Sequence, residues 1–259
     1  MIELINLTKR YRNLHAVDHV NLSIGEGVRF GFLGPNGAGK TTTIRMMAGV
    51  LKPTEGEIII QGHRLSREPS AVKRLIGFIP DRPYVYEKLT GLEFISFVAG
   101  LYGLEKTADL KKRIDELLDL FDLTHWGDEL IESYSHGMKQ RLVMCSALIH
   151  RPKVLLVDEP MVGLDPRGAR LVKDIFREES LKGTTVFMST HSLDVAEEVC
   201  EEIAIIQAGR IIACGTPDAL RERAGVDGNL EDLFLNLTQG KRIAHENPLS
   251  SSQPRADRH

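Results

Sequence analysis

The sequence predicts an α/β protein built around a phosphate-binding loop, and three observations carry that reading. The stretch Gly34-Pro35-Asn36-Gly37-Ala38-Gly39-Lys40-Thr41-Thr42 holds a Gly-x4-Gly-Lys-Thr core between an apolar strand candidate and a helix-periodic run. From Val154 onward strand-like and helix-like segments alternate, as an α/β layer requires. Between these parts, from about Thr90 to His150, the chain reads as helical, which predicts an inserted helical subdomain.

In chain order, residues 2–7, 16–24 and 28–33 read as short strands separated by polar or Gly-containing turns. A helix follows the loop from Thr41, with Ile44, Met47, Ala48 and Leu51 on one face. The turn 53–56 leads to a strand at 57–61, and the apolar stretch 75–79 ends at Pro80. Within the helical part, Ile114, Leu117, Leu118 and Phe121 mark one apolar face. Strands are expected at 154–157, 184–188, 203–207 and 210–213, with helices near 167–179 and 193–200. An amphipathic piece at 230–237 precedes a polar tail, 241–259, expected to stay disordered for want of apolar surface to bury. There is no internal repeat.

Composition narrows the classes. A chain of 259 residues can bury a substantial core. The formal net charge of -3 argues against an electrostatically driven nucleic-acid binder. Three cysteines, Cys145, Cys200 and Cys214, lack paired spacing, which disfavours a disulfide framework or zinc site and fits a reducing cytosol. The N-terminus opens into strand-like alternation without a basic-then-apolar leader. Apolar runs such as 95–101 fall short of the roughly 20 residues of a spanning helix, so any membrane role is expected to come through a partner.

The chemistry follows from residue type and spacing. Gly34, Gly37 and Gly39 permit a tight turn that aims successive backbone N–H groups, with those of Asn36, Ala38 and Thr42, at a triphosphate. Lys40 reaches for the β- and γ-phosphates, and the Thr41 hydroxyl is a candidate Mg²⁺ ligand at a helix start whose dipole favours the anion. The run 154–157 ends in Asp158-Glu159, and ligands of parallel sheets sit at the carboxyl ends of strands. Asp158 is suited to orient Mg²⁺ through water and Glu159 to polarise the water attacking the γ-phosphorus. Ser135 and the N–H groups of His136 and Gly137 open a further helix, with Met138, Leu142, Cys145 and Ile149 on one face, and form a second anion site.

Together these residues resemble the ATP-binding cassette (ABC) ATPases across residues 1 to about 225. The stretch Tyr134-Ser135-His136-Gly137-Met138-Lys139-Gln140-Arg141 resembles the family's signature loop, His191 in Ser189-Thr190-His191 its switch histidine, and Gly163-Leu164-Asp165 its D-loop. Tyr11 stands where the family stacks an aromatic on adenine, and Asp81 where it usually has a Gln near the metal. The resemblance implies a P-loop NTPase (RecA-like) core, 1–225, with an antiparallel β subdomain and a helical subdomain at about 82–150, then a short helical extension at 226–240. It implies ATP and Mg²⁺ as cofactors and a head-to-tail homodimer. In that dimer each ATP lies between one loop and the partner protomer's Ser135, His136 and Gly137.

Among its branches the chain looks most like exporter cassettes with a separately encoded permease, held at the cytoplasmic face of the membrane, with the aromatic and basic segment 82–89 as socket. No nucleic-acid partner is expected. The competing reading is a soluble, non-transport ABC ATPase acting as a regulatory or mechanical module. A P-loop kinase leaves Ser135 to Gly137, Glu159 and His191 unexplained. Asp81 in place of Gln, Met138 in place of Gln and Val162 in place of Ser depart from the family pattern and touch coupling more than phosphate binding.

Overall fold

Ten strands and eight helices order the described part of the chain, which is residues 1–224 and residue 234 of a computed structural model. The expected extension at 226–240, Phe234 apart, and the tail at 241–259 lie outside the described residues. Phe234 is half-buried and packs against the core.

The N-terminal part forms a four-stranded sheet in the order β2-β1-β4-β5 from β1 (Ile2–Tyr11), β2 (Leu14–Ile24), β4 (Glu55–Ile60) and β5 (His63–Arg64), all antiparallel. β1 runs four residues beyond the predicted strand. Alternation hides this, because Asn6 adopts φ 48 and the register shifts between Leu4 and Leu7, so Leu7 and Thr8 are buried in succession.

A six-stranded sheet carries the second part, in the order β10-β9-β3-β8-β7-β6. Its members are β3 (Arg29–Leu33), β6 (Ile76–Ile79), β7 (Val154–Asp158), β8 (Thr185–Thr190), β9 (Glu202–Gln207) and β10 (Arg210–Gly215). All pairings are parallel except the edge pair β9 and β10. Covered on both faces, these strands read as continuous apolar runs, and their alternation divides the core in two. Phe30, Phe32, Val154, Leu156 and Phe187 face the antiparallel sheet and α1 (Lys40–Met47). Leu33, Leu155, Val157 and Met188 face the helices that lie within 91–148 and 166–199. Phe187 stacks on Phe30 at 5.6 Å between ring centroids and tilts against Phe32 at 5.3 Å.

Between the neighbouring strands β6 and β7 the chain makes a helical excursion. α3 (Gly91–Leu101) begins at a capping box in which Thr90 accepts from the Glu93 N–H and Glu93 accepts from the Thr90 N–H. α4 (Ala108–Leu120) buries Ile114, Leu117 and Leu118 and starts at Thr107, whose hydroxyl accepts from Leu110 N–H. Two single 3₁₀ turns precede α5 (His136–Leu148). α5 differs from the one-faced helix the sequence predicts: all residues from Leu142 to Leu148 are buried, because it is wedged between the sheet and the other two helices. Burial overrides the periodic signal where a helix has neighbours on every side.

α6 (Pro166–Leu181) and α7 (Leu193–Val199) lie where expected. α2 (Pro69–Leu75) and α8 (Pro217–Ala224) do not appear among the predicted helices. Both carry a legible start signal, a proline at the first helical turn, and Thr216 caps α8 by accepting from Ala219 N–H at 3.2 Å.

His150 ties the helical excursion to the sheet. Its ring stacks on Tyr102 at 3.6 Å, and its Nε2–H donates to the Ile76 carbonyl at 3.0 Å. Burial lowers its pKa from 6.5 to about 4. Below pH 6.5 the unfolded chain therefore takes up a proton that the folded chain refuses until about pH 4. Stability accordingly falls as pH drops through that window. Urea midpoints measured against pH are expected to show this component in the unmodified chain and a flatter dependence in His150→Gln. An identical dependence in both would assign the acid sensitivity elsewhere.

Candidate active site

The loop joining β3 to α1 is shaped by two glycines that admit no side chain. A Cβ at Gly34 would run into the Ile206 carbonyl, and one at Gly39, where φ is 113, into the Ala16 carbonyl. Gly34 N–H donates to Thr190 O at 3.3 Å and Ala38 N–H to Pro35 O at 3.2 Å, which fixes the loop over the sheet's carboxyl edge. Lys40, one position earlier than the predicted helix start, opens α1. Its ammonium is buried and donates to Gly34 O at 2.7 Å and Pro35 O at 3.3 Å. The loop thus binds its own lysine through two of its carbonyls.

A cleft of about 270 Å³ opens above this loop. Asn36, Gly37, Gly39, Lys40, Thr41 and Thr42 line it together with Asp81, Glu159 and Ala16. Gly34 and buried Ala38 do not line it. A larger groove of about 540 Å³ lies away from this chemistry, between the 49–57 turn and α2, and carries none of the predicted site residues.

Two acidic residues stand at the end of β7 beside the cleft, Glu159 lining it and Asp158 buried behind it. Asp158 is buried, and burial raises its pKa, a shift opposed by hydrogen bonds from the Ser189 and Thr41 hydroxyls and reinforced by the nearby charges of Asp81 and Glu159. Its Oδ1 accepts from Ser189 at 2.5 Å, while Oδ2 is buried without a hydrogen bond. Asp81 Oδ1 is likewise buried with no hydrogen bond. Two orphaned carboxylate oxygens beside a threonine hydroxyl are the donor set of a small hard cation, so the residues fit Mg²⁺. Among the described residues no group of three His, Cys, Asp or Glu could hold a metal unaided. That is expected where phosphate oxygens complete the shell.

Glu159 leaves the strand in the left-handed region, φ 49, an uncommon conformation for a side-chain-bearing residue and one that clusters at functional sites. Its carboxylate is held at both ends. Oε1 lies 3.5 Å from the Lys40 ammonium, and Oε2 accepts from His191 Nδ1–H at 2.9 Å. Its own N–H donates to the Ser189 carbonyl at 3.2 Å. Ser189, absent from the sequence-based assignment, therefore supports both acids. Only its place two residues before His191 hinted at it.

The other predicted residues lie outside the cleft. Tyr11, at the end of β1, is 47% exposed with the Lys9 ammonium 5.2 Å over its ring. Ser135 caps α5, its hydroxyl accepting from Met138 N–H at 3.3 Å while its own O–H stays available as a donor. His136 and Gly137 follow, exposed and half-buried, with the His136 ring against Gly163. Asp165 caps α6 by accepting from Gly168 N–H at 2.7 Å. Apart from the cleft, one chain thus presents a second helix start, capped by Ser135 and with His136 exposed.

Comparison with known proteins gives the same picture. The family profile described as ABC transporter matches residues 17–162. The daunorubicin/doxorubicin resistance ATP-binding protein DrrA of Streptomyces peucetius is 41% identical over 243 residues, covering 94% of this chain and 73% of that protein. A solved ATP-binding subunit of an ABC transporter superposes with a TM-score of 0.86 at 33% identity, over 92% of this chain and 99% of the other. The dimeric post-hydrolysis state of the ATP-binding cassette MJ0796 bound to ADP and Pi superposes with a TM-score of 0.74 at 29% identity, over 83% of this chain and 98% of the other. The chain belongs to the ABC transporter family, as an ATP-binding and ATP-hydrolysing cassette.

Proposed function

We propose that this cassette drives export through a separately encoded membrane permease by closing as a homodimer on MgATP and reopening after hydrolysis. The observation that carries the reading is Glu159, fixed between Lys40 and His191 at the mouth of the phosphate cleft. It is placed to take a proton from water attacking the γ-phosphorus, and His191 keeps the carboxylate aimed. Asn36, Gly37, Gly39 and Thr42 cradle the phosphates through their backbones, Gly34 and Ala38 shape the loop with N–H groups already donated to Thr190 O and Pro35 O, and Lys40 pairs with the β- and γ-phosphates. Tyr11 stacks on adenine. Thr41, Asp158 and Asp81 would hold Mg²⁺, which would neutralise phosphate charge.

Ser135, His136 and Gly137 close on the partner protomer's ATP, with Asp165 at the same interface. The dimeric MJ0796 cassette supports this assembly. The excursion at 82–150 acts as a helical arm, and 82–89 as the socket for the permease. Among the described residues no helix is long and apolar enough to cross a membrane, and the reading assigns the membrane-spanning part to the permease. DrrA's name ties it to drug resistance, which supports export rather than uptake.

The test is affinity purification of the Glu159→Gln chain from its native cell in mild detergent with MgATP. A stoichiometric multi-spanning membrane protein is the expected partner. Recovery of soluble or ribosomal partners alone would overturn the transport reading in favour of a regulatory or mechanical ATPase.

A further inference from the structure

Arg45 stands one helical turn after Thr41 on α1, the i, i+4 relation that sets Cβ atoms about 5–6 Å apart on one face. Its guanidinium approaches Asp81 Oδ1 to 3.6 Å, an ion-pair distance too long for a hydrogen bond. That oxygen is buried and takes no hydrogen bond from any described residue. Asp81 faces the cleft with Thr41, Thr42 and Glu159, and its charge is felt at Asp158. Two carboxylates thus share the metal side of the cleft with one loosely held guanidinium.

We propose that Arg45 competes with the divalent metal for the Asp81 carboxylate and so sets the metal concentration at which the cassette takes up metal-bound nucleotide. The inference rests on the proposed placement of Mg²⁺ among Thr41, Asp158 and Asp81. Three physical points carry it. A carboxylate next to Asp158 needs a counter-cation, and Arg45 supplies one from the same helix that presents Thr41. A guanidinium and a dication repel, so each weakens the other's hold on a shared carboxylate. The Arg45 side chain is 44% exposed and can withdraw into water without losing a buried hydrogen bond. Arg45 is therefore a positioning residue, acting on the metal through Asp81.

The test uses Mn²⁺ with ADP on the full chain. EPR reports the protein-bound metal–nucleotide complex, and ADP affinity is measured in parallel in EDTA. Arg45→Gln is expected to lower the Mn²⁺ concentration required by about two- to fivefold, the scale of an exposed ion pair, with ADP affinity in EDTA unchanged. Asp81→Asn is expected to raise the requirement about tenfold, as loss of a metal-orienting partner does. In the Asp81→Asn background, Arg45→Gln should have no further effect, because its partner is gone. Equal gains in both backgrounds, no gain in either, or a changed ADP affinity in EDTA would each overturn the proposal while leaving the metal site standing. No Mn²⁺ dependence in the unmodified chain would overturn the proposal and the metal assignment together.

Discussion

Glu159→Gln is expected to lower ATP turnover by about 10²- to 10⁴-fold, the usual contribution of a positioned general base, with ATP binding preserved. Glutamine keeps the shape of the side chain, and its carbonyl still accepts from His191 Nδ1–H, so the 2.9 Å contact survives. What disappears is the ability to take a proton from the attacking water. The 3.5 Å pairing with Lys40 disappears too, which leaves that ammonium to the phosphates and adds to the stability of the bound state. The variant should therefore accumulate closed dimers with MgATP, read by size-exclusion chromatography beside a phosphate-release assay. Turnover at the unmodified rate would remove Glu159 as the base and shift attention to His191.

Lys40→Ala is expected to weaken ATP binding about 10- to 100-fold, the worth of a charge-assisted hydrogen bond to a phosphate. The ammonium is only 6% exposed and also ties down the Gly34 and Pro35 carbonyls, so truncation loosens the start of the loop as well. Calorimetric titration with ATP measures the first effect and thermal unfolding without nucleotide the second. Affinity within about twofold of the unmodified chain would show that the ammonium does not reach the phosphates. The two variants separate cleanly, since one removes binding and the other a step after binding.

Much of this site was legible because it is local in sequence. Gly34 to Thr42 is one turn whose glycines, lysine and threonine each do what their chemistry allows, and Asp158-Glu159 ends an apolar strand that the pattern alone predicts. The strands of the parallel sheet were legible for the same reason, since burial on both faces leaves uninterrupted apolar runs. The end of β1 is not legible because a bulge breaks its alternation, and the all-round burial of α5 is not legible because its surroundings are set by residues far along the chain. Nor could spacing show that Ser189 braces both acids, that Ala16 closes on Gly39, or that Arg45 meets Asp81.

The sequence by itself determined the chemistry: which residues can hold phosphate, metal and water, because those functions depend on residue type within a few positions of backbone. Tertiary structure alone decided the arrangement. Placing β8 between β3 and β7 brings His191 and Ser189 from one crossover against Glu159 and Asp158 from another, beside the loop from a third. Such contacts join residues some thirty or more positions apart, and no local periodicity records them, because sheet order is set by how the whole chain buries its two cores.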